Sequence, residues 1–397
     1  MQYRNGYSAL GYGCMRFSRS GGIDMEKTER ELLRAYELGV NYYDTAYIYP
    51  GSEAALGEIL ERNRLRDHVQ IATKLPQYLI KSPKGIDRYF DEQLKRLRTD
   101  HIDNYLMHML TDLDAWHNLE RLGIREWIDA HKKNGSIRRI GFSFHGNTTM
   151  FLKILDAYDW DFCQIQYNYM DEVSQAGRAG LEAAQAKGIP VIIMEPLRGG
   201  KLVSQLPHKA RERIKAFNEP HTAAELALRW LWDQPGVTCV LSGMNSLDMV
   251  EENCRIASEA VPGCLSDGER ALIASLREDI NEKLLIGCTG CGYCMPCPKG
   301  VDIPGAFRCY NDMSMESKAS GRHEYLQVVS LRKEPVFPSQ CVACGRCEQH
   351  CPQHLPIIET LKKADRALRP LPYRAASSVA RKWLFRKHRG KAPEETA

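Results

Sequence analysis

Eight of the 14 cysteines fall in two short runs, and no other feature limits the chain's fold as tightly. The first run, CTGCGYCMPCP, holds Cys288, Cys291, Cys294 and Cys297, followed by Pro298; the second, CVACGRCEQHCP, holds Cys341, Cys344, Cys347 and Cys351, followed by Pro352. A C-x2-C-x2-C loop wraps three corners of a cubane iron–sulfur cluster, and a fourth cysteine before proline is displaced toward a second cluster. The spacing predicts two 4Fe–4S clusters with crossed ligation. Cys288, Cys291, Cys294 and Cys351 would hold one, and Cys341, Cys344, Cys347 and Cys297 the other. Structural zinc is the alternative, but zinc commonly takes two separated Cys-x2-Cys pairs, and two uninterrupted runs of four fit it poorly. The first run has two residues rather than three before its last cysteine, which leaves its fourth-ligand geometry open. The six scattered cysteines, Cys14, Cys163, Cys239, Cys254, Cys264 and Cys309, read mostly as small buried hydrophobes.

The 43 residues between Cys297 and Cys341 exceed what a compact two-hairpin module requires, and GAFRCYNDMSMESKASGRHEYLQVVS reads as helices. This module resembles a helical two-cluster ferredoxin. The N-terminus lacks a basic start followed by an apolar run, and no stretch has the apolar length of a membrane span. The thiols are therefore expected to be reduced, in the cytoplasm, and free to bind metal. The net charge is +4, but eleven Lys/Arg against three acids after residue 360 make the tail +8 and the rest −4. That balance argues against nucleic-acid binding by the main body. The tail mixes Trp383, Leu384 and Phe385 with basic residues. It reads as a solvated end or, more sharply, as a dock for an acidic electron carrier or a peripheral contact with an anionic membrane.

From Tyr3 to about Pro262 short apolar runs alternate with longer helical stretches. The strand candidates are SALGYGC, VNYYDT, VQIATK, IDNYLMH, IRRIGFS, FCQIQYN, PVIIME and TCVLSG. Helices close on glycine before the next strand at Gly39, Gly135, Gly188 and Gly236. Eight βα units over ~260 residues suit a (β/α)8 TIM barrel. An open doubly wound sheet would want a glycine-rich phosphate turn after its first strand, and GYGCMRFS lacks the helix that should follow. The expected division is a barrel over 1–262, a linker helix over 263–286, a small, mostly α-helical two-cluster ferredoxin-like domain over 287–360 and a basic tail over 361–397.

Barrels carry their chemistry at the C-terminal ends of the strands. Those ends present Asp44, Lys74 and His108, with Tyr49 five residues past Asp44. Singly, each has an ordinary explanation as a turn cap, a solvated end or a rim histidine. Together they form a proton-transfer set. Tyrosine titrates near 10, a neighbouring ammonium is expected to bring that value down, a carboxylate holds the lysine, and a histidine can polarise a carbonyl.

The segments GVNYYDTAYIY, IATK, DNYLMH, RRIGFS, CQIQYN, EPLRGG and MVEEN resemble the aldo/keto reductase family over residues 1–262. The resemblance implies that Asp44, Tyr49 (the acid), Lys74 and His108 are catalytic. It implies nicotinamide contacts at Ser143 and Gln164, with Met194 where an aromatic ring often stacks. A phosphate loop would run from Leu197 through Gly199 to Lys201, with Glu252 and Asn253 at the adenine end. The segment SGMNSLDMVEEN offers Met244, Met249 and Asp248 where many members place Lys or Arg against a 2′-phosphate, so NADPH, NADH and FMN all stay open. The expected activity is carbonyl/alcohol interconversion of a small molecule, with two 4Fe–4S clusters passing electrons to or from a ferredoxin, flavodoxin or flavoprotein. The rival class is an electron-transfer or interaction protein whose barrel has lost catalysis or binds flavin.

Overall fold

The computed structural model describes residues 1–204, 206–219, 221–288, 294–315, 317–330, 337–351 and 355–386. They divide into two compact units, one of residues 1–204 with 212–274 and one of residues 205–211 with 275–397.

In the first unit a hairpin, β1 (Tyr3–Arg4) and β2 (Tyr7–Ser8), turns through Asn5 and Gly6, both with positive φ, as an Asn-Gly hairpin turn requires. The eight following strands close a parallel barrel: β3 (Leu10–Gly13), β4 (Tyr42–Asp44), β5 (Gln70–Leu75), β6 (Ile102–Leu110), β7 (Ile137–Phe144), β8 (Phe162–Gln166), β9 (Val191–Met194) and β10 (Val237–Ser242). Each falls on a run expected from the sequence, and β10 pairs with β3 to close the ring. The alternative of an open doubly wound sheet is not found among the described residues.

Side chains alternate along a strand with period two, and this stacks the barrel interior in layers. Tyr7, Tyr42, Ala72, Leu106, Phe162, Ile192 and Cys239 form a buried apolar layer. Below it the hairpin's Tyr7 donates to Asn104 Oδ1 at 2.8 Å, and the Arg139 guanidinium lies 5.1 Å from the Tyr7 ring centre. Two positions further along the strands come Asp44 after Tyr42, Lys74 after Ala72, His108 after Leu106, Gln164 after Phe162 and Met194 after Ile192. Gly141 contributes by size alone: a methyl group there would meet the Phe162 carbonyl oxygen at 2.6 Å.

Of the four glycines expected to end helices, Gly39, Gly135 and Gly188 adopt positive φ. Gly236 does not. Its glycine serves a close approach instead, since a methyl group there would meet Gln185 Oε1 at 2.9 Å.

The expected linker helix over 263–286 forms as Asp267–Asn281. Ser266 Oγ accepts from the Glu269 N–H at 3.2 Å and the Glu269 carboxylate accepts from the Ser266 N–H at 2.7 Å, a reciprocal cap. The division between the two units falls within this helix.

The second unit is helical where described. Ile303–Met315, Lys318–Tyr325 and Ile357–Leu368 bury a small core that includes Ile286, Phe307, Tyr325, Val329 and Leu361. The basic helix Leu371–Arg386 follows, and residues 387–397 of the tail lie outside the described residues. No helix among the described residues is long and apolar enough to cross a membrane.

The helices Ser52–Arg62 and Pro83–Leu97 touch backbone to surface at Gly57, where a methyl group would lie 2.5 Å from the Leu97 carbonyl carbon. Backbone cannot yield as a flexible side chain can. Gly57→Ala should therefore destabilise the barrel by ~1–3 kcal/mol, read as a Tm lowered by several degrees in thermal unfolding. An unchanged or raised Tm would show that the helices separate freely.

Candidate active site and cysteine cavity

The C-terminal layer of the barrel centres on a buried ion pair. Lys74 Nζ donates to Asp44 Oδ1 at 2.6 Å and to the Thr45 carbonyl at 2.6 Å. Gln164 Nε2 donates to the second Asp44 oxygen at 3.3 Å. Burial pushes the Asp44 carboxyl up, against the pull of Lys74 and Gln164. For Lys74 burial works downward but Asp44 outweighs it, so the ammonium is held charged.

The Tyr49 ring centre lies 5.3 Å from Lys74 Nζ and 6.3 Å from the His108 ring centre, edge to face. The expectation that Lys74 draws the phenol below its usual value is not met. Burial pushes Tyr49 up more strongly than Lys74 pulls it down. Tyr49 therefore holds its proton through the neutral range, which suits an acid. His108 behaves oppositely. Burial first, then the Lys74 charge and His145, push it down to about 2, so its imidazole is neutral. Its Nδ1 is buried with no hydrogen-bond partner among the described residues. The next residue, Met109, turns to φ +55°, and its N–H donates to Ser143 Oγ at 2.8 Å. This irregularity at the end of β6 ties the His108 backbone to β7.

Gln164 Oε1 is likewise buried without a partner, beside Ser143 on the neighbouring strand. Met194 is half-buried at the end of β9. The loop after it turns sharply, with Glu195, Arg198, Gly199 and Gly200 all at positive φ. This leaves bare backbone between Leu197 and Lys201, while Arg198 Nε is bound to Asp171 at 3.0 Å. The unpartnered Gln164 oxygen and the bare loop fit a nicotinamide nucleotide. Asn253 is buried and donates to Ser242 Oγ at 3.1 Å, whereas Glu252 accepts from Thr222 Oγ1 at 2.8 Å. Neither bonds to the Asp44–Lys74 set.

Tyr78, expected from the sequence on a loop at the mouth, has its ring centre 6.4 Å from that of His108, whereas the Thr45 carbonyl and Arg16 on the turn after β3 carried no sequence signal. Each acts through backbone or through a loop without period.

In the second unit a cavity of about 330 Å³ is lined by Cys294, Cys297, Cys341, Cys344 and Cys347, with Lys299 and Arg346 beside them. None of these thiols is in a disulfide. Ala343 and Gly345 take positive φ, bending the second run around the cavity, and the Ala343 N–H donates to Cys341 Sγ at 3.4 Å. Four or more convergent soft thiols beside two cations fit an anionic iron–sulfur cluster. The cavity joins Cys294 and Cys297 of the first run to three cysteines of the second. Cys351 lies in the buried core, against which Cys288, Cys294, Cys297, Cys341 and Cys347 pack. Cys291 lies outside the described residues. Of the scattered cysteines, all are buried except Cys264, which is half-buried.

Residues 9–262 match the Aldo/keto reductase family, and residues 287–355 match the 4Fe-4S dicluster domain. The chain is 26% identical to L-galactose dehydrogenase of Arabidopsis thaliana over 283 residues, covering 64% of this chain and 85% of the relative. It is 24% identical over 304 residues to the NADH-specific methylglyoxal reductase of Escherichia coli, covering 65% and 90%. The holo form of an aldo-keto reductase from Bacillus halodurans superposes with a TM-score of 0.54 at 27% identity, over 68% of this chain and 92% of that one. With a closed barrel and a family match over well over half its length, the chain belongs to the aldo/keto reductase family, as an iron–sulfur oxidoreductase whose barrel is followed by a 4Fe–4S dicluster domain.

Proposed function

We propose that the barrel interconverts a small-molecule carbonyl and its alcohol with a nicotinamide nucleotide, and that the cysteine-rich domain exchanges electrons with a protein partner. The carrying observation is the buried Lys74–Asp44 pair set against a protonated Tyr49 and a neutral His108. The nicotinamide would supply or accept the hydride at the carbonyl carbon. The chain's own groups handle the oxygen. His108 orients and polarises it, and Tyr49 gives it the phenolic proton as the C=O bond becomes single. Lys74 stabilises the phenolate left behind, and Asp44 holds Lys74. Alcohol oxidation runs the same transfers backwards. Ser143 and Gln164 are assigned to the carboxamide, Met194 to the ring face, Leu197, Gly199 and Lys201 to phosphate, and Glu252 and Asn253 to the adenine end. The functional division follows the same lines: barrel 1–262, linker 263–286, cluster domain 287–360 and basic tail 361–397. Reduced thiols and metal binding favour a cytoplasmic location.

Tyr49→Phe keeps the ring and removes only the proton. Carbonyl turnover should fall by at least ~100-fold with the circular dichroism spectrum unchanged, and because burial pushes the Tyr49 phenol up, the wild-type reduction rate should decline only at a pH beyond the ordinary tyrosine range. Near-normal turnover in Tyr49→Phe would sink the assignment.

Crossed ligation of two 4Fe–4S clusters is the second half of the reading; it rests on the spacing of the two runs, and the cavity that gathers Cys294 and Cys297 with Cys341, Cys344 and Cys347 brings Cys297 to the second run as crossing requires. Cys297→Ser combined with Cys341→Ser removes two ligands from one cluster if ligation is crossed, and one from each if it is not. Anaerobic preparations of this double variant should keep about four of roughly eight iron atoms, with one intact cluster signal by electron paramagnetic resonance. Loss of both signals would favour uncrossed ligation.

Nicotinamide moves electrons as a hydride pair, whereas each cluster takes one at a time, so a flavin is needed between them. It is either FMN at the barrel mouth or a flavin on a flavodoxin or flavoprotein partner; a ferredoxin could carry the single electrons onward. Met244 and Met249, uncharged where a 2′-phosphate would need a cation, favour considering FMN within the barrel itself. Anaerobic NADH should bleach the cluster absorbance only when flavin is added. Rapid bleaching of verified flavin-free protein would refute the need for a converter.

A further inference from the structure

His221 has carboxylates on both sides of its ring, and neither the barrel chemistry nor the cysteine runs account for them. It stands just before the helix Ala223–Trp232, whose cap is Thr222, with the Thr222 oxygen accepting from the Glu225 N–H at 3.1 Å. Glu219 precedes it by two residues. Glu269 comes from the first turn of the linker helix Asp267–Asn281. All of these residues belong to the first unit. The Phe217 ring stacks on the imidazole, with ring centres 6.0 Å apart.

His221 Nε2 lies 3.3 Å from Glu269 Oε1 and 3.4 Å from Glu219 Oε2, and Nδ1 lies 3.5 Å from Glu225 Oε2. Both ring nitrogens are buried, and neither has a hydrogen-bond partner among the described residues. An imidazolium pairing with carboxylates would close to about 2.7–2.9 Å. The observed spacing is longer and suits a different arrangement. Two ligand atoms each about 2.0–2.1 Å from a tetrahedral metal stand about 3.3–3.4 Å apart. One ligand atom each from Glu219, His221 and Glu269 all fall within 4.8 Å of one another.

The surrounding bonds hold these groups in place. Glu269 Oε1 accepts from Arg229 Nε at 2.8 Å, and its Oε2 accepts from Arg229 Nη2 at 3.2 Å and from the Ser266 N–H at 2.7 Å. Glu225 accepts from Arg255 at 3.2 Å. An ionised carboxylate offers about four acceptor sites, so Glu269 Oε1 keeps one after Arg229. Three carboxylates face two guanidinium groups, which leaves room for further positive charge. We infer that Glu219 Oε2, His221 Nε2 and Glu269 Oε1 bind one Zn²⁺ ion, with water completing its shell. Imidazole with carboxylates suits zinc, whereas Ca²⁺ and Mg²⁺ take oxygen ligands. Nδ1 then faces Glu225, the outer carboxylate that orients a metal-binding imidazole. The ion would staple the segment before Ala223–Trp232 to the start of the linker helix. This site is independent of the nucleotide and of the clusters.

The test is anaerobic calorimetric titration of the full-length, cluster-loaded protein with zinc chloride, after brief dialysis against a chelator. One equivalent should bind, and the melting temperature should rise with added zinc. X-ray absorption at the zinc edge should show only nitrogen and oxygen neighbours, at about 2.0–2.1 Å. A sulfur shell at about 2.3 Å would put the ion on the cysteine runs and overturn the assignment. His221→Gln should abolish both the binding and the thermal shift, and Glu225→Gln should weaken binding by about 10- to 100-fold. Glu219 is exposed, so Glu219→Gln should leave the zinc-free melting temperature unchanged and still lower the affinity, which keeps the test open if His221→Gln fails to fold. No binding, binding confined to millimolar zinc (an adventitious ion only), or wild-type affinity in Glu219→Gln would each overturn the site.

Discussion

Lys74 and Asp44 meet at 2.6 Å with both side chains almost wholly shielded from water, on adjacent strands of a closed barrel. Two charges so placed forfeit several kcal/mol of hydration each, and only good geometry with further hydrogen bonds offsets this. Both conditions are met: Lys74 has a second acceptor in the Thr45 carbonyl, and Asp44 has a second donor in Gln164. The neighbouring groups take their protonation from the surroundings of this pair. The ammonium adds to burial in keeping a proton off His108, and burial overcomes the same ammonium in keeping the proton on Tyr49. A protonated phenol and a neutral imidazole side by side form an acid and a polarising group at one pH.

The second unit rests on different physics. Its buried core is small, and among the described cysteines of the two runs only Cys347 stands on a helix, Arg346–Gln349. A module of this size gains folding free energy from metal–thiolate bonds as much as from apolar burial. The positive φ at Ala343 and Gly345 bends the backbone toward the cavity, and Lys299 and Arg346 sit where the negative charge of a thiolate-bound cluster would fall. The helix Ile303–Met315, inside the long segment between the runs, and Ile357–Leu368, after the second run, contribute to the core against which these cysteines pack.

Much of the barrel was legible because its signals are local. An apolar strand buried on both faces reads as a short continuous run, and its successor follows a helix closed by glycine at Gly39, Gly135 and Gly188. Asp44, Lys74 and His108 were legible for the same reason: each stands two residues beyond an interior apolar residue at a strand end. The protonation of Tyr49 was not. Its shift depends on how much protein surrounds the ring, and proximity to Lys74 alone gives the wrong sign. Gly236 was misread because a glycine needed for close approach looks identical in sequence to one needed for positive φ.

What the sequence by itself determined is the order of eight strands, the ionisable residues at their ends and the two thiol runs with their spacing. These are properties of neighbouring residues, governed by strand period and ligand geometry. Only the tertiary structure decided which ends meet. Closure pairs β10 with β3, and with that pairing the turn after the first barrel strand comes to lie over the loops after the last two. Arg16 reaches Gly199 and Gly243 for that reason alone. No periodicity relates residues so far apart in the chain; ring closure through backbone hydrogen bonds does.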